Sequence, residues 1–198
     1  MAAETLTVDL SVKVPLPQLW EAFKDLHHLM PRLLPGFIES SRIVDGPVGG
    51  GVGSVRDCKF TCEVPGISWT KELIDKVDDE KHIVSYKVVE GEVLAKCSSF
   101  RVTWRFDPPP LPSSSTDVNW TAEIVPLPTA ETANNGRGDK DNDRAARETA
   151  EEDARRRNDL YRDSAQLLMK QLEAHLMVTK EYSQPSPKER MRDDLLLN

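Results

Sequence analysis

From Thr5 to Val14, polar and apolar residues alternate without a break. Leu6, Val8, Leu10, Val12 and Val14 fall on one side, and Thr5, Thr7, Asp9, Ser11 and Lys13 on the other. A period of two over ten residues fits a strand with one buried face and fits no helix. Whatever the chain becomes, it needs an apolar layer to cover that face. Pro15 and Pro17 end the segment. Leu16, Leu19, Trp20 and Phe23 then recur at three- and four-residue steps, as on a short amphipathic helix. A second short helix fits Leu26 to Leu34, broken at Pro31 and ended by Pro35-Gly36.

Six further strand-like segments follow, each bounded by turn residues. They are Phe37–Val44, Ser54–Cys62, Ile67–Val77, His82–Glu90, Ala95–Phe106 and Thr116–Val125. The turns are the glycine cluster Gly46 to Gly53, Pro65-Gly66, Asp78-Asp79, Gly91, and the stretch Pro108 to Ser115. The seven segments predict an antiparallel sheet or partial barrel.

The character changes after Pro126. Residues 131–160 carry nine acids and seven bases and no Val, Ile, Phe or Met, so they cannot bury an ordinary face. From about Asp143 the composition favours a helix, and Tyr161, Ala165, Leu168, Leu172 and Leu176 form one apolar stripe. We expect one long helix, docked along its C-terminal half and solvated along its N-terminal half. The mixed charges over 143–160 also suit a docking surface for a protein partner. The expected organisation is one domain over 1–182, with a polar loop and helix extension at 131–150 and a disordered tail at 183–198. An antiparallel sheet curled around a long helix leaves an interior cavity wherever inward side chains do not fill it.

Composition removes several function classes. The net charge of −7 disfavours electrostatic nucleic-acid binding. No apolar run approaches the ~18 residues of a membrane helix. The N-terminus has neither the basic nor the apolar region of a signal peptide. Three cysteines in such a chain read as reduced thiols, which points to a cytoplasmic protein. Cys58 and Cys62 lie four apart on an expected strand, hence on one face, but no set of close Cys and His ligands completes a zinc-type site. We therefore expect no metal and no cofactor. The glycine cluster has two readings. It is a rigid loop whose glycines adopt positive φ, or a backbone cradle for an anion. No Gly-Lys-Ser/Thr follows it, which excludes a nucleotide P-loop.

Three stretches carry a family resemblance: the loop Asp45 to Gly53 with Arg56 behind it; Lys71-Glu72-Leu73-Ile74-Asp75-Lys76-Val77-Asp78 leading into Tyr86-Lys87-Val88-Val89-Glu90-Gly91; and Gln171 to Leu176. In these the chain resembles the Bet v 1-like superfamily of plants, the helix-grip fold shared by birch-pollen-allergen and pathogenesis-related class 10 proteins. The resemblance implies an α+β fold in which a seven-stranded antiparallel sheet grips a long C-terminal helix around a hydrophobic cavity. It implies binding of small hydrophobic or amphipathic molecules (plant hormones or specialised metabolites), as carrier or sensor, in plant defence. Alternation and the resemblance together place Phe37, Cys58, Phe60, Trp69, Val84, Tyr86, Val88, Phe100, Val102, Trp104 and Trp120 opposite Tyr161, Ala165, Leu168 and Leu172. Arg56 and Glu72 map onto inward positions of the family. They are either a pair inside the cavity, able with Tyr86 to fix a ligand's polar end, or a solvated pair at its rim.

Some relatives are enzymes, so a cyclase, isomerase or synthase is the alternative, with Glu72 as the candidate acid or base. Where the similar norcoclaurine synthases place a catalytic tyrosine, acid and lysine, this sequence has Val93, Ala95 and, near the third position, Asp107. Glu90 and Glu173 match glutamates tied to ribonuclease activity in some members, but His175 stands where those have tyrosine.

Overall fold

The computed structural model describes residues 3–47, 49–110, 114–127, 140–179 and 181–183, with side chains within 140–151 described only at Thr149. The elements run β1 (Glu4–Val12), α1 (Leu16–Lys24), α2 (Leu26–Leu33), β2 (Ile38–Asp45), β3 (Val55–Phe60), β4 (Trp69–Asp78), β5 (Ile83–Gly91), a 3-10 turn (Glu92–Ala95), β6 (Cys97–Asp107), β7 (Thr116–Pro126) and α3 (Lys140–Thr179). The seven strands form one antiparallel sheet in the order β1-β7-β6-β5-β4-β3-β2. This is the expected helix-grip arrangement.

The alternation of the first strand is realised: Leu6, Val8 and Val12 are buried. On the same face of the sheet, β7 contributes Val118, Trp120, Ala122 and Ile124, and β6 contributes Phe100, Val102, Trp104 and Phe106. From α3, Ala165, Leu168, Met169, Leu172 and Leu176 close onto that layer. The helix packs along β1 and against α2. From α1, Phe23 sits 4.7 Å from the Phe106 ring and 5.2 Å from that of Trp104, sealing one end of the core.

Three local features depart from the sequence reading. Helix α2 runs through Pro31, because the Leu34 N–H closes on the Met30 carbonyl at 2.9 Å around the proline. Strand β3 ends at Phe60, so the exposed Cys62 does not share a strand face with the buried Cys58. The four residues Glu92–Ala95 form a 3-10 turn, too short to show a period.

A bulge at Asp75 interrupts the β4–β5 register, where Ile74 pairs with Tyr86 but Lys76 with Ser85. Such bulges bend a strand. The β2–β3 loop needs its glycines: Gly46 has φ +83°, and a Cβ there would lie 2.5 Å from the Gly53 carbonyl oxygen. The loop is tied down by Gly53 N–H to the Ile74 carbonyl at 2.8 Å and by the Ser54 hydroxyl to the Pro47 carbonyl at 2.8 Å. It is a fixed connection between strands. Residues 131–139 and 184–198, parts of the expected polar loop and tail, lie outside the described residues. Among the described residues no helix is long and apolar enough to cross a membrane.

Candidate ligand cavity

Between the sheet and α3 lies a cavity of about 200 Å³. Strands β3 to β7 supply its floor, α3 its roof, and α2 with the segment around Phe37 one end. From β3 come Arg56, Cys58 and Phe60; from β4, Thr70 and Glu72; from β5, Tyr86 and Val88. Strands β6 and β7 add Phe100, Val102, Trp104 and Trp120, and α3 adds Tyr161, Ala165 and Leu168. Phe37, 37% exposed, stands at the edge. Most of the residues placed inward from sequence therefore meet around one space. The Tyr161 ring lies 5.0 Å from that of Phe100, joining roof to floor.

Three residues placed inward from sequence lie elsewhere. Trp69 is on the opposite face of β4, because the inward positions there are Thr70, Glu72 and Ile74. Trp69 and Glu72 are three apart, so they share a face only across a bulge, and the bulge in β4 comes later, at Asp75. Val84 faces inward but lines a second, smaller cavity. Leu172 is fully buried in packed core and does not reach either space.

The lining also includes residues the sequence reading missed. Met30 and Leu34 come from α2, Val93 from the 3-10 turn, and Leu160, Ser164 and Leu167 from the flanks of the α3 stripe. Thr70 was accessible from sequence, since it shares the parity of Glu72.

One part of the wall is polar. Arg56 and Glu72 are cross-strand partners on β3 and β4. The guanidinium donates from Nε at 2.9 Å and Nη2 at 2.6 Å to the same oxygen, Glu72 Oε2. Their side chains are only 7% and 10% exposed, so this is an internal pair and not one at a solvated rim. Thr70 donates to the other carboxylate oxygen at 3.3 Å. The Arg56 guanidinium also lies over the Tyr86 ring, 4.9 Å from its centroid.

The charges tune each other. Burial works against the Arg56 cation, but Glu72, helped by Cys58 and Tyr86, more than offsets it, so its pKa rises and it stays charged. Burial, and then Glu72, push the Tyr86 hydroxyl up, against Arg56, so it keeps its proton. The same two influences push the Cys58 thiol up to about 12, which keeps it an unreactive neutral group. Burial pushes the Tyr161 hydroxyl to about 12. The wall thus offers a neutralised ion pair and neutral hydroxyl groups to whatever enters.

The second cavity, about 100 Å³, lies under the glycine loop. It is bounded by Phe23, Lys24, Leu26 and His27, by Gly49–Gly51, and by Ile74, Val77 and Val84. Arg56 and Tyr86 line both spaces and form the partition between them. His27 is 5% exposed. Burial lowers its pKa, His28 and Arg56 add to that, and Asp25 opposes it.

Comparison with known proteins agrees with this architecture. The family model described as "Pathogenesis-related protein Bet v 1 family" matches residues 1–123. Pathogenesis-related protein 1 of Asparagus officinalis is 31% identical over 110 residues, covering 54% of this chain and 68% of its own. Norbelladine synthase of Narcissus pseudonarcissus is 33% identical over 89 residues, 44% of this chain and 53% of its own length, so the match spans about half of that enzyme. Among solved structures, ginseng major latex-like protein 151 from Panax ginseng superposes with a TM-score of 0.63 at 21% identity, covering 87% of this chain and 97% of that one. The match over strands, glycine loop and turn order has one consequence: the chain belongs to the pathogenesis-related Bet v 1 family.

Proposed function

We propose that the protein binds small hydrophobic or amphipathic molecules in the sheet–helix cavity, as a carrier or sensor. The observation that carries this reading is the cavity itself: aromatic and aliphatic walls around about 200 Å³, with the Arg56–Glu72–Thr70–Tyr86 group on one side. An apolar cavity of ~150 Å³ is already enough to take up benzene. Burying about 300 Å² of apolar ligand surface yields roughly 7.5 kcal/mol before ordering costs, which corresponds to micromolar-to-millimolar dissociation constants. The ion pair and hydroxyls would orient the polar end of an amphipathic molecule.

The test is titration with a dye that fluoresces in apolar surroundings, competed by plant hormones, flavonoids, alkaloid precursors and fatty acids. Saturable one-site binding, displaced by one class, supports the reading. Ala165 is 4% exposed and faces the cavity, so Ala165→Trp fills it. Unchanged dye affinity in that variant, with the fold intact by circular dichroism, refutes the site.

The similarity to norbelladine synthase favours a second reading, an enzyme using the same cavity. Against it, Glu72 is engaged by two N–H donors of Arg56, and Val93, Ala95 and Asp107 do not supply a phenol–acid–amine set. Turnover of an aldehyde–amine pair that falls away in Glu72→Gln, assayed well below that variant's melting temperature with dye binding retained, would support this reading; full turnover in that variant removes Glu72 as its acid or base.

A further inference from the structure

Asp25 is the single residue between α1 and α2. Its Oδ1 lies 2.5 Å from Nδ1 of His28, and its Oδ2 accepts a hydrogen bond from the hydroxyl of Tyr182, just beyond the end of α3. Successive residues on a helix diverge by ~100°, so adjacent imidazoles do not ordinarily meet. Here they do, with ring centroids 3.9 Å apart and planes tilted by 39°. Asp25 draws His28 back over the helix junction, while His27 lies beneath the glycine loop. A Cβ on Gly50, whose φ is +82°, would lie in ordinary contact with its Nδ1 at 3.4 Å, so the glycine loop lies directly over the ring. One donor atom from each of Asp25, His27 and His28 falls within 4.8 Å of the other two.

A bound ion requires a modest rearrangement of that spacing. Ligands bonded at about 2.0–2.2 Å to one tetrahedral ion stand roughly 3.4 Å apart. The widest spacing therefore closes by up to about 1.4 Å, and the 2.5 Å contact between Asp25 and His28 opens by about 1 Å, as the ion enters between them. We propose that Asp25, His27 and His28 form a two-histidine, one-carboxylate site for a divalent first-row transition ion of the Zn²⁺ or Cu²⁺ kind. The donor set decides the class. Imidazole nitrogens suit Zn²⁺, Cu²⁺ and Ni²⁺, whereas Ca²⁺ and Mg²⁺ require shells made of oxygen. With no thiolate in the set, Cu(I) is not favoured.

The surroundings fit. The ion replaces the proton shared between Asp25 Oδ1 and His28 Nδ1, and that proton passes to Nε2 or to solvent. Tyr182 holds the remaining carboxylate oxygen, the outer-shell arrangement that fixes a ligand's orientation. The His28 side chain is 69% exposed and that of Asp25 36%, so the ion has an entry path and room for water as further ligands. The nearby Arg56 charge is already neutralised by Glu72. Cysteine and histidine spacing alone concealed the site, because its third ligand is an aspartate that the sequence reading did not weigh.

The test uses the full chain without an affinity tag, in a Cys62→Ser background that removes the exposed thiol. Calorimetric titration with Zn²⁺ and paramagnetic resonance with Cu²⁺ are expected to give one ion per chain and a two-nitrogen signature. His28→Ala, at an exposed side chain, is expected to abolish the site, and Asp25→Asn to weaken it. Tyr182→Phe is expected to weaken it by about 10- to 100-fold. His82→Ala and His175→Ala are expected to bind as the parent does. Absence of saturable binding, or parent-like affinity in His28→Ala, overturns the assignment. Loss of binding in His175→Ala also overturns it, by placing the ion on the His175–Glu181 pair. Circular dichroism and the melting temperature of each variant serve as the fold control.

Discussion

Glu72→Gln isolates the energetic role of the polar wall. In the parent, Arg56 Nε and Nη2 both donate to Glu72 Oε2, and the two side chains are at most one-tenth exposed. The amide keeps the shape and one acceptor oxygen but removes the charge. Arg56 cannot shed its proton, and its side chain is only 7% exposed and packed over the Tyr86 ring. A buried charge left without its counter-ion costs ~3–5 kcal/mol. For a chain of this length each kcal/mol moves the melting temperature by about 2–4 °C, so the expected fall is about 6–20 °C. The assay is thermal unfolding by calorimetry at neutral pH and moderate salt. The companion double variant, Arg56→Met with Glu72→Leu, removes both charges and is expected to recover most of the loss, because replacing a whole buried pair by apolar residues is about neutral or stabilising. A Glu72→Gln protein melting within a degree of the parent would refute the reasoning, since it would mean that water already solvates Arg56.

Other outcomes follow from the same geometry. With its pKa near 12, about one Cys58 thiol in ten thousand is ionised at pH 8, so a disulfide reagent is expected to modify exposed Cys62 quickly and Cys58 only on unfolding; rapid reaction of Cys58 in the folded protein would contradict its burial. Gly46→Ala forces an L-residue to φ +83° against the Gly53 carbonyl, which costs at least about 1–2 kcal/mol and is read as a lower melting temperature; an unchanged melting temperature would mean that the loop is not held as described. Burial tends to raise the Asp25 carboxyl, but Tyr182 and His28 outweigh it and hold it below its ordinary value. Its contribution is therefore present above the unfolded-state pKa and lost as pH falls through the lower folded value. Tyr182→Phe removes part of that depression and is expected to move acid unfolding to higher pH; a shift the other way would be inconsistent with the Tyr182–Asp25 bond.

The strands were legible where one face is greasy and the other wet. Strand β1 is read from Leu6, Val8 and Val12 because nothing polar intrudes on its inner face. The α3 stripe is legible for the same reason. Strand β4 inverts the pattern: its inner face presents Thr70 and Glu72, while Trp69 and Leu73 face outward. Hydrophobicity therefore turns that strand the wrong way at the point where the cavity becomes polar, the kind of place where local rules are expected to fail. Burial of the Arg56–Glu72 pair was also beyond the sequence, because it depends on the β3–β4 register and on α3 covering it. The His27–His28 contact depends on Asp25 at a helix junction, and no periodicity reports a junction.

The pairing of β1 with β7 sets an order on the birth of the molecule. Glu4 pairs with Ile124 and Val12 with Thr116. A chain emerging from the ribosome makes its first strand early and must hold it without its neighbour until β7 appears. The helix that roofs the cavity arrives later still. Until then the inner row of Phe100, Trp104 and Trp120 faces solvent or a chaperone. Such long-range closure is slow compared with local pairing, so the yield of native protein in a cell depends on how well that unfinished sheet is shielded during the interval.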